Sequence, residues 1–224
     1  MNFRIAIDGP AATGKSTTAK ILAKKLSFIY IDTGAMYRAM GLYFIENNIS
    51  LDDEGTINKV CNDVVIDIYY ENGEQQINLN GRNVTKLIRT DEVSRYASVA
   101  STYQKVREKL VSLQQELAKK NSVIMDGRDI GTVVLPDAEL KIFLTASCEE
   151  RARRRYEEFK EKGLDVTLEE VSADLKERDH RDSTRSNSPL KQADDAILID
   201  TTNMGIDEVI QKIEGLYNEK VGSV

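Results

Sequence analysis

The sequence predicts an α/β fold. It should have three layers, α/β/α, around a central parallel sheet, with a small antiparallel β insert and an arginine-rich helical segment. Three observations carry this. Short β-branched apolar runs alternate with helical periods over most of the 224 residues. One stretch in the first half switches to two-residue alternation broken by Asn-Gly pairs. A later stretch, "RARRR", sets Arg151, Arg153, Arg154 and Arg155 within five positions.

The elements follow in order. "FRIAID" (Phe3 to Asp8) is a short buried-strand candidate, and a Gly-rich loop follows it. "KSTTAKILAKKLS" then shows helical spacing at Ile21, Leu22 and Leu26. "FIYIDTG" reads as a second strand and "AMYRAMGLYFIENN" as a helix. Strand, loop, helix, strand predicts a parallel sheet with right-handed crossovers.

Between about Asp63 and Ile88 the apolar residues alternate: Ile66, Ile68 and Tyr70, then Ile77 and Leu79. Asn72-Gly73 and Asn80-Gly81 fall at the breaks, a strong hairpin signal. This predicts a small antiparallel meander. Helices follow from about Thr90 to Lys119. "SVIMDG" and "ELKIFLTA" resume the sheet. "CEERARRRYEEFKEKG" and "LEEVSADLKERDHRDSTRS" read as charged helices, "DAILIDT" as a last strand and "GIDEVIQKIEGLYNEK" as a closing amphipathic helix.

Composition narrows the function. The net charge of -6 disfavours a nucleic-acid or membrane-surface role, which needs a basic face. No apolar run reaches the length of a membrane span. No charged and apolar leader opens the chain, so the expected compartment is the cytoplasm. The two cysteines, Cys61 and Cys148, form no CxxC pair and are expected to be small buried hydrophobes. A single histidine, His180, nearly excludes Cys/His zinc chemistry.

"GPAATGKST" comprises Gly9, Pro10, Ala11, Ala12, Thr13, Gly14, Lys15, Ser16 and Thr17. It matches G-x-x-x-x-G-K-[ST], with a strand before and a helix after, as a P-loop requires. Backbone N–H groups of such a loop point at phosphate oxygens, and the helix N-terminus adds partial positive charge. Lys15 would reach the β- and γ-phosphates of a nucleoside triphosphate, and Ser16 would hold Mg²⁺. The bland alternative, a turn with an incidental Lys-Ser, does not explain this placement. Asp126 and Asp32 both close strands, where open α/β sheets bind ligands, and either could assist the metal.

The loop fixes a nucleoside triphosphate but not the reaction. No NKxD-type base-reading motif is visible, which disfavours a GTPase. A DNA-handling ATPase would favour a basic groove. A small-molecule kinase remains, and it should carry an acceptor anion site and an arginine lid. Four arginines at 151–155 cannot all find carboxylates on one turn, so that helix is expected to be under-compensated unless an anion visits it. A solvated, salt-bridged helix is the alternative. Arg178, Arg181, Asp182 and Arg185 fall at i, i+3, i+4 and i+7, one face if the helix continues. Three positive charges against one negative would suit a phosphate, which guanidinium groups bind bidentately. His180 lies off that face and takes no role.

Taken together, "GPAATGKST", "DTGAMYR", "IRTDEVS", "YASVASTYQKVRE", "DGRDIGTVV" and "KERDHRDSTRS" resemble the bacterial cytidylate kinases from end to end. The resemblance implies ATP as donor, Mg²⁺, and CMP or dCMP as acceptor. It implies that Asp32, Thr33, Tyr37 and Arg38 line the acceptor side. Ser98, Arg107 and Asp129 would read cytosine, with Asp126 and Gly127 beside them. Arg128 would be a phosphate or lid partner, and Arg178, Asp182 and Arg185 would bind the acceptor's phosphate and sugar. Lys15, Asp126, Arg128 and Arg155 are the expected catalytic set. The whole chain, 1–224, would form one nucleoside monophosphate kinase domain. Its core would be 1–32, 96–148 and 167–224, its acceptor-binding region with the insert about 33–95, and its lid about 149–166. The partners would be small nucleotides, with no nucleic acid and no membrane, and the enzyme a monomer. UMP or shikimate as acceptor, or an ATPase with no acceptor, stay open here.

Overall fold

The computed structural model describes residues 2–222. The strands are β1 (Arg4–Asp8), β2 (Ile29–Asp32), β3 (Ile66–Glu71), β4 (Glu74–Leu79), β5 (Arg82–Asn83), β6 (Val123–Gly127), β7 (Leu140–Thr145) and β8 (Ile197–Asp200). The helices are α1 (Lys15–Leu26), α2 (Thr33–Glu46), α3 (Glu54–Val60), α4 (Asp91–Ala100), α5 (Gln104–Lys119), α6 (Cys148–Glu161), α7 (Leu168–Thr184) and α8 (Ile206–Gly222). Of these strands and helices, α3 has no counterpart in the sequence reading. Among the described residues no helix is long and apolar enough to cross a membrane.

The chain divides into two compact units. One is Met1–Tyr30 with Asn121–Val224, and the other is Ile31–Lys120. The first contains the main sheet, in the order β2-β6-β1-β7-β8, apart from Ile31 and Asp32 at the end of β2, with helices on both sides. β1 pairs in parallel with β6 and β7, and β7 with β8. This is the expected α/β/α architecture. Ile5, Ile7, Ile124, Ile142, Leu144 and Ile199 form an apolar face that α1 and α8 cover through Leu22, Val209 and Ile213. Near-continuous apolar runs are what strands buried on both faces require.

The second unit contains the insert, β3-β4-β5, paired antiparallel as predicted. Asn72 and Gly73 have φ of 52 and 78, and Asn80 and Gly81 have φ of 49 and 82. Two consecutive left-handed residues make the turn that matches strand twist, hence the Asn-Gly pairs. Ile77 and Leu79 turn inward to Met36, Met40 and Phe44 of α2.

This unit runs on to Lys120. The reason is packing: Val93 and Ala100 of α4 and Val106 and Leu110 of α5 enter the α2 core. Gly41 permits the α2–α4 crossing. A Cβ there would lie 2.9 Å from the Ala97 N and 3.1 Å from the Val93 O. Cys61 is buried as expected, whereas Cys148 is exposed, because it opens α6 on the solvent side.

Candidate active site

In the first unit, Gly9–Thr17 links β1 to α1 as the motif requires. Gly9, Ala12 and Gly14 have φ of 145, 61 and 88. Left-handed residues in a loop feeding a helix turn successive N–H groups into an anion-binding concavity. Gly9 has no substitute, since a Cβ would lie 2.0 Å from the Leu144 carbonyl oxygen.

Lys15 is buried at 5% exposure, and its ammonium donates to the Pro10 carbonyl and to Thr13 Oγ1 at 3.3 Å. Burial holds its pKa well below the lysine value, and the nearby Arg128 and Arg178 charges add to this; Asp126 and Asp8 only partly offset them. A cation already desolvated and crowded by two guanidinium groups gains from a polyanion.

Ser16 Oγ donates to Asp126 Oδ2 at 2.7 Å, and Tyr30 OH donates to Asp126 Oδ1 at 2.9 Å. Ser16 and Asp126 therefore present hard oxygens side by side. That fits Mg²⁺, which takes one or two protein oxygens and completes its shell with phosphate and water. Among the described residues no three His, Cys, Asp or Glu side chains gather as a self-sufficient metal cage. Asp32, the other strand-end aspartate, uses its carboxylate on Ala35 and Arg38.

The α7 arginine stripe differs from expectation. α7 ends at Thr184, and Arg185 caps it with extended backbone (φ -58, ψ 140). The i+7 position is thus off the helix. Arg185 folds back instead: its Nε donates to the Ser188 carbonyl at 2.8 Å, and its Nη2 lies 3.6 Å from Asp129 Oδ1. Arg181 leaves the cluster to pair with Glu177 on its own helix. Arg128 takes its place, donating from Nε to Asp182 Oδ2 at 2.8 Å. Asp182 is buried. Burial alone would raise its pKa, but Arg128, Arg178 and Arg185 outweigh it and hold the carboxyl below its usual range. The structure thus brings Arg128, Asp129, Arg178, Asp182 and Arg185 together near Lys15.

The α6 arginines are compensated, contrary to expectation. Arg153 pairs with Glu150 and Glu157, Arg154 with Glu150, and Arg155 with Glu158. These carboxylates lie three or four residues away, where helix neighbours meet. Arg151 is buried and pairs across to Asp179 of α7 at 2.6 Å. It also donates to the Ala146 and Ala11 carbonyls at 3.1 and 3.3 Å. Arg154 reaches the Thr201 carbonyl at 2.6 Å. Arg151 and Arg154 therefore brace the first turns of α6. Arg155, half-buried, lies 4.3 Å over the Phe159 ring.

In the second unit, Asp32 ends β2 and caps α2. Its Oδ1 accepts from the Ala35 N at 2.9 Å and its Oδ2 from Arg38 at 2.8 Å. Arg89 Nη1 lies 3.5 Å from the same Oδ2. Burial pushes the Asp32 pKa up, yet Arg38 and Arg89 prevail and hold it low. Gln75 of the insert grips the Asp32 backbone twice. Its Oε1 accepts from the N–H at 2.8 Å and its Nε2 donates to the carbonyl at 3.3 Å. Thr33 is buried at the first position of α2. Arg107 is buried, donates to the Ser101 carbonyl, and its guanidinium sits 5.7 Å from the Tyr37 ring centre. Ser98 is also buried, on α4. Arg107 and Ser98 are therefore not an ordinary surface pair.

Sequence reasoning missed Asp8, Tyr30, Gln75 and Arg89. Only Asp8 had a signal, as the residue directly before the P-loop.

Residues 5–219 match the cytidylate kinase family model. The chain is 54% identical over 219 residues to the cytidylate kinase of Caldicellulosiruptor bescii, covering 98% of this chain and 97% of that protein. It is 54% identical over 218 residues to that of Carboxydothermus hydrogenoformans, covering 97% and 98%. A crystal structure of an uncharacterized protein from Eubacterium ventriosum shares the fold alone, with TM-score 0.53 and 13% identity over 98% and 99% of the two chains. A P-loop with its lysine amid arginines, a Ser16–Asp126 oxygen pair and a family match along nearly the whole length lead to one conclusion: the chain belongs to the cytidylate kinase family.

Proposed function

We propose that this enzyme transfers the γ-phosphoryl group of ATP to CMP or dCMP, giving ADP and CDP or dCDP, with Mg²⁺ bound. The observation that carries this is Lys15, buried and crowded by Arg128 and Arg178. A desolvated ammonium beside two guanidinium groups gains from added negative charge, and two phosphates supply it.

The P-loop amides and Lys15 hold the donor's phosphates. Ser16 and Asp126 would hold Mg²⁺, which would supply charge neutralisation at the phosphate oxygens. Arg128, Arg178 and Arg185 bind the acceptor phosphate, and Arg38 assists. Asp182 accepts from the sugar 3′-hydroxyl, which CMP and dCMP share. No covalent intermediate or histidine base is required. Catalysis is positioning and charge stabilisation by Lys15 and Arg128.

Cytosine is read by groups matched to its edge. Asp129 and Ser98 accept from the exocyclic amino group, and Arg107 donates to N3 and O2. Asp32, Thr33 and Tyr37 shape the acceptor side, with Gly127 giving close approach. Uracil would set an oxygen against Asp129 and an N–H against Arg107. Leaving such buried groups unpaired costs about 1–3 kcal/mol each.

Chromatography of a reaction containing ATP, Mg²⁺ and CMP tests this directly. CDP and ADP should appear in equal amounts. ADP without CDP would overturn the assignment.

A further inference from the structure

Asp8 has no role in the chemistry above, yet it is a carboxylate buried to 4% exposure beside the P-loop. Its two oxygens accept from successive backbone amides: Oδ1 from the Ile130 N at 2.8 Å, and Oδ2 from the Gly131 N at 2.7 Å. These amides open the wide turn Ile130–Val134, directly after Asp129. Asp8 is also the last residue of β1 in register with β6, opposite Gly127.

Arg128 and Asp129 therefore form a two-residue arch, and both feet stand on Asp8. One foot is Gly127, held by strand pairing. The other is Ile130–Gly131, held by the carboxylate. Gly9, the next residue along the chain, begins the P-loop and is wedged against the Leu144 carbonyl. Gly131 is less confined: a Cβ there would meet the flexible Lys141 Cδ at 3.2 Å and come into contact with Asp8 Oδ2 at 3.4 Å. Burial pushes the Asp8 carboxyl up to about 6, against the pull of the two amides. Two charge-assisted hydrogen bonds from one carboxylate give the arch a defined geometry that a single amide contact would not.

We propose that Asp8 is a positioning residue of the first unit. Through Gly127 and through Ile130–Gly131 it fixes the Arg128–Asp129 arch relative to the P-loop, and so sets both phosphoryl transfer and the choice of base. This rests on the cytidylate reading, in which Asp129 meets cytosine and Arg128 meets phosphate.

Asp8→Asn removes one acceptor and turns an amide donor toward a backbone N–H. In the full-length protein it should lower kcat/KM for CMP about tenfold or more. It should also shrink the preference for CMP over UMP about fivefold, while ATP affinity measured without acceptor stays within about twofold. A residue that only supported the fold would not alter base preference. Gly131→Ala, which sets a methyl against Asp8 Oδ2 and crowds Lys141 Cδ without removing the carboxylate, should move both quantities the same way by less. If Asp8→Asn fails to fold, Gly131→Ala decides by the same criterion. An unchanged CMP-to-UMP preference in the folded variants, or ATP affinity lost in step with activity, overturns the proposal. Wild-type protein assayed alongside separates the two claims. If it prefers CMP and the variants keep that preference, only the role of Asp8 falls; if it shows no preference for CMP, both fall.

Discussion

The arginines of α6 and those around α7 look alike in sequence and differ in structure. α6 holds four in five positions, but each finds a carboxylate. The helix carries its own counter-charges at Glu150, Glu157 and Glu158. Around α7, Arg128, Arg178 and Arg185 crowd Asp182 and Lys15, and Lys15 is held well below its ordinary pKa. The lesson is that arginine density does not mark an anion site. What marks it is whether glutamates stand three or four positions away, and whether the cations are desolvated together.

Four changes probe that contrast. The largest effect belongs to Lys15→Met, which should lower kcat about a thousandfold or more. Its stability should move the other way. Lys15 has a lower pKa folded than unfolded, so keeping its proton at pH 7 works against folding, and a neutral side chain removes that strain. Tm should therefore hold or rise; a large fall would break the claim of crowding.

Arg178→Ala should raise the KM for CMP about 10- to 100-fold with ATP binding nearly unchanged. Steady-state kinetics with each nucleotide varied in turn will show whether the two effects separate.

A third, smaller effect is on pH dependence. Asp8 titrates at about 6 folded, against 3.8 for an ordinary aspartate. The folded state thus binds more protons in that window, so its stability relative to Asp8→Asn is greatest near pH 4. It declines as pH rises to about 6 and is flat above. Thermal melts of both proteins across pH 4–8 check this sign. The smallest effect is for Arg153→Ala, an exposed residue in i,i+3 and i,i+4 pairs. Activity should hold and Tm should move by about a degree or less. A large loss of activity would return α6 to the status of an anion-binding helix.

Much of this was legible from local pattern. The P-loop, the parallel strands and the Asn-Gly hairpins are set by a few neighbouring residues, and the structure has them where expected. The glutamates flanking the α6 arginines were also in view, but pairing was weighed on a single turn; in the structure the partners lie three or four residues away, and that of Arg151 is Asp179 on α7. The exit of Arg185 from α7 was not legible, since its extended backbone depends on a fold-back to the Ser188 carbonyl. Nor were the grips of Asp8 on Ile130 and Gly131, or of Gln75 on Asp32. These contacts span 122, 123 and 43 residues of chain. No periodicity encodes them, because they exist only once the sheet and the insert have formed.

The most direct test of the central claim, an acceptor-phosphate cluster serving a cytosine nucleotide, is ADP release across an acceptor panel of CMP, dCMP, UMP, AMP and shikimate. The account predicts fast turnover with CMP and dCMP, much slower turnover with the others, and only background without acceptor. Turnover that ignores the acceptor, or equal rates with CMP and UMP, would contradict it.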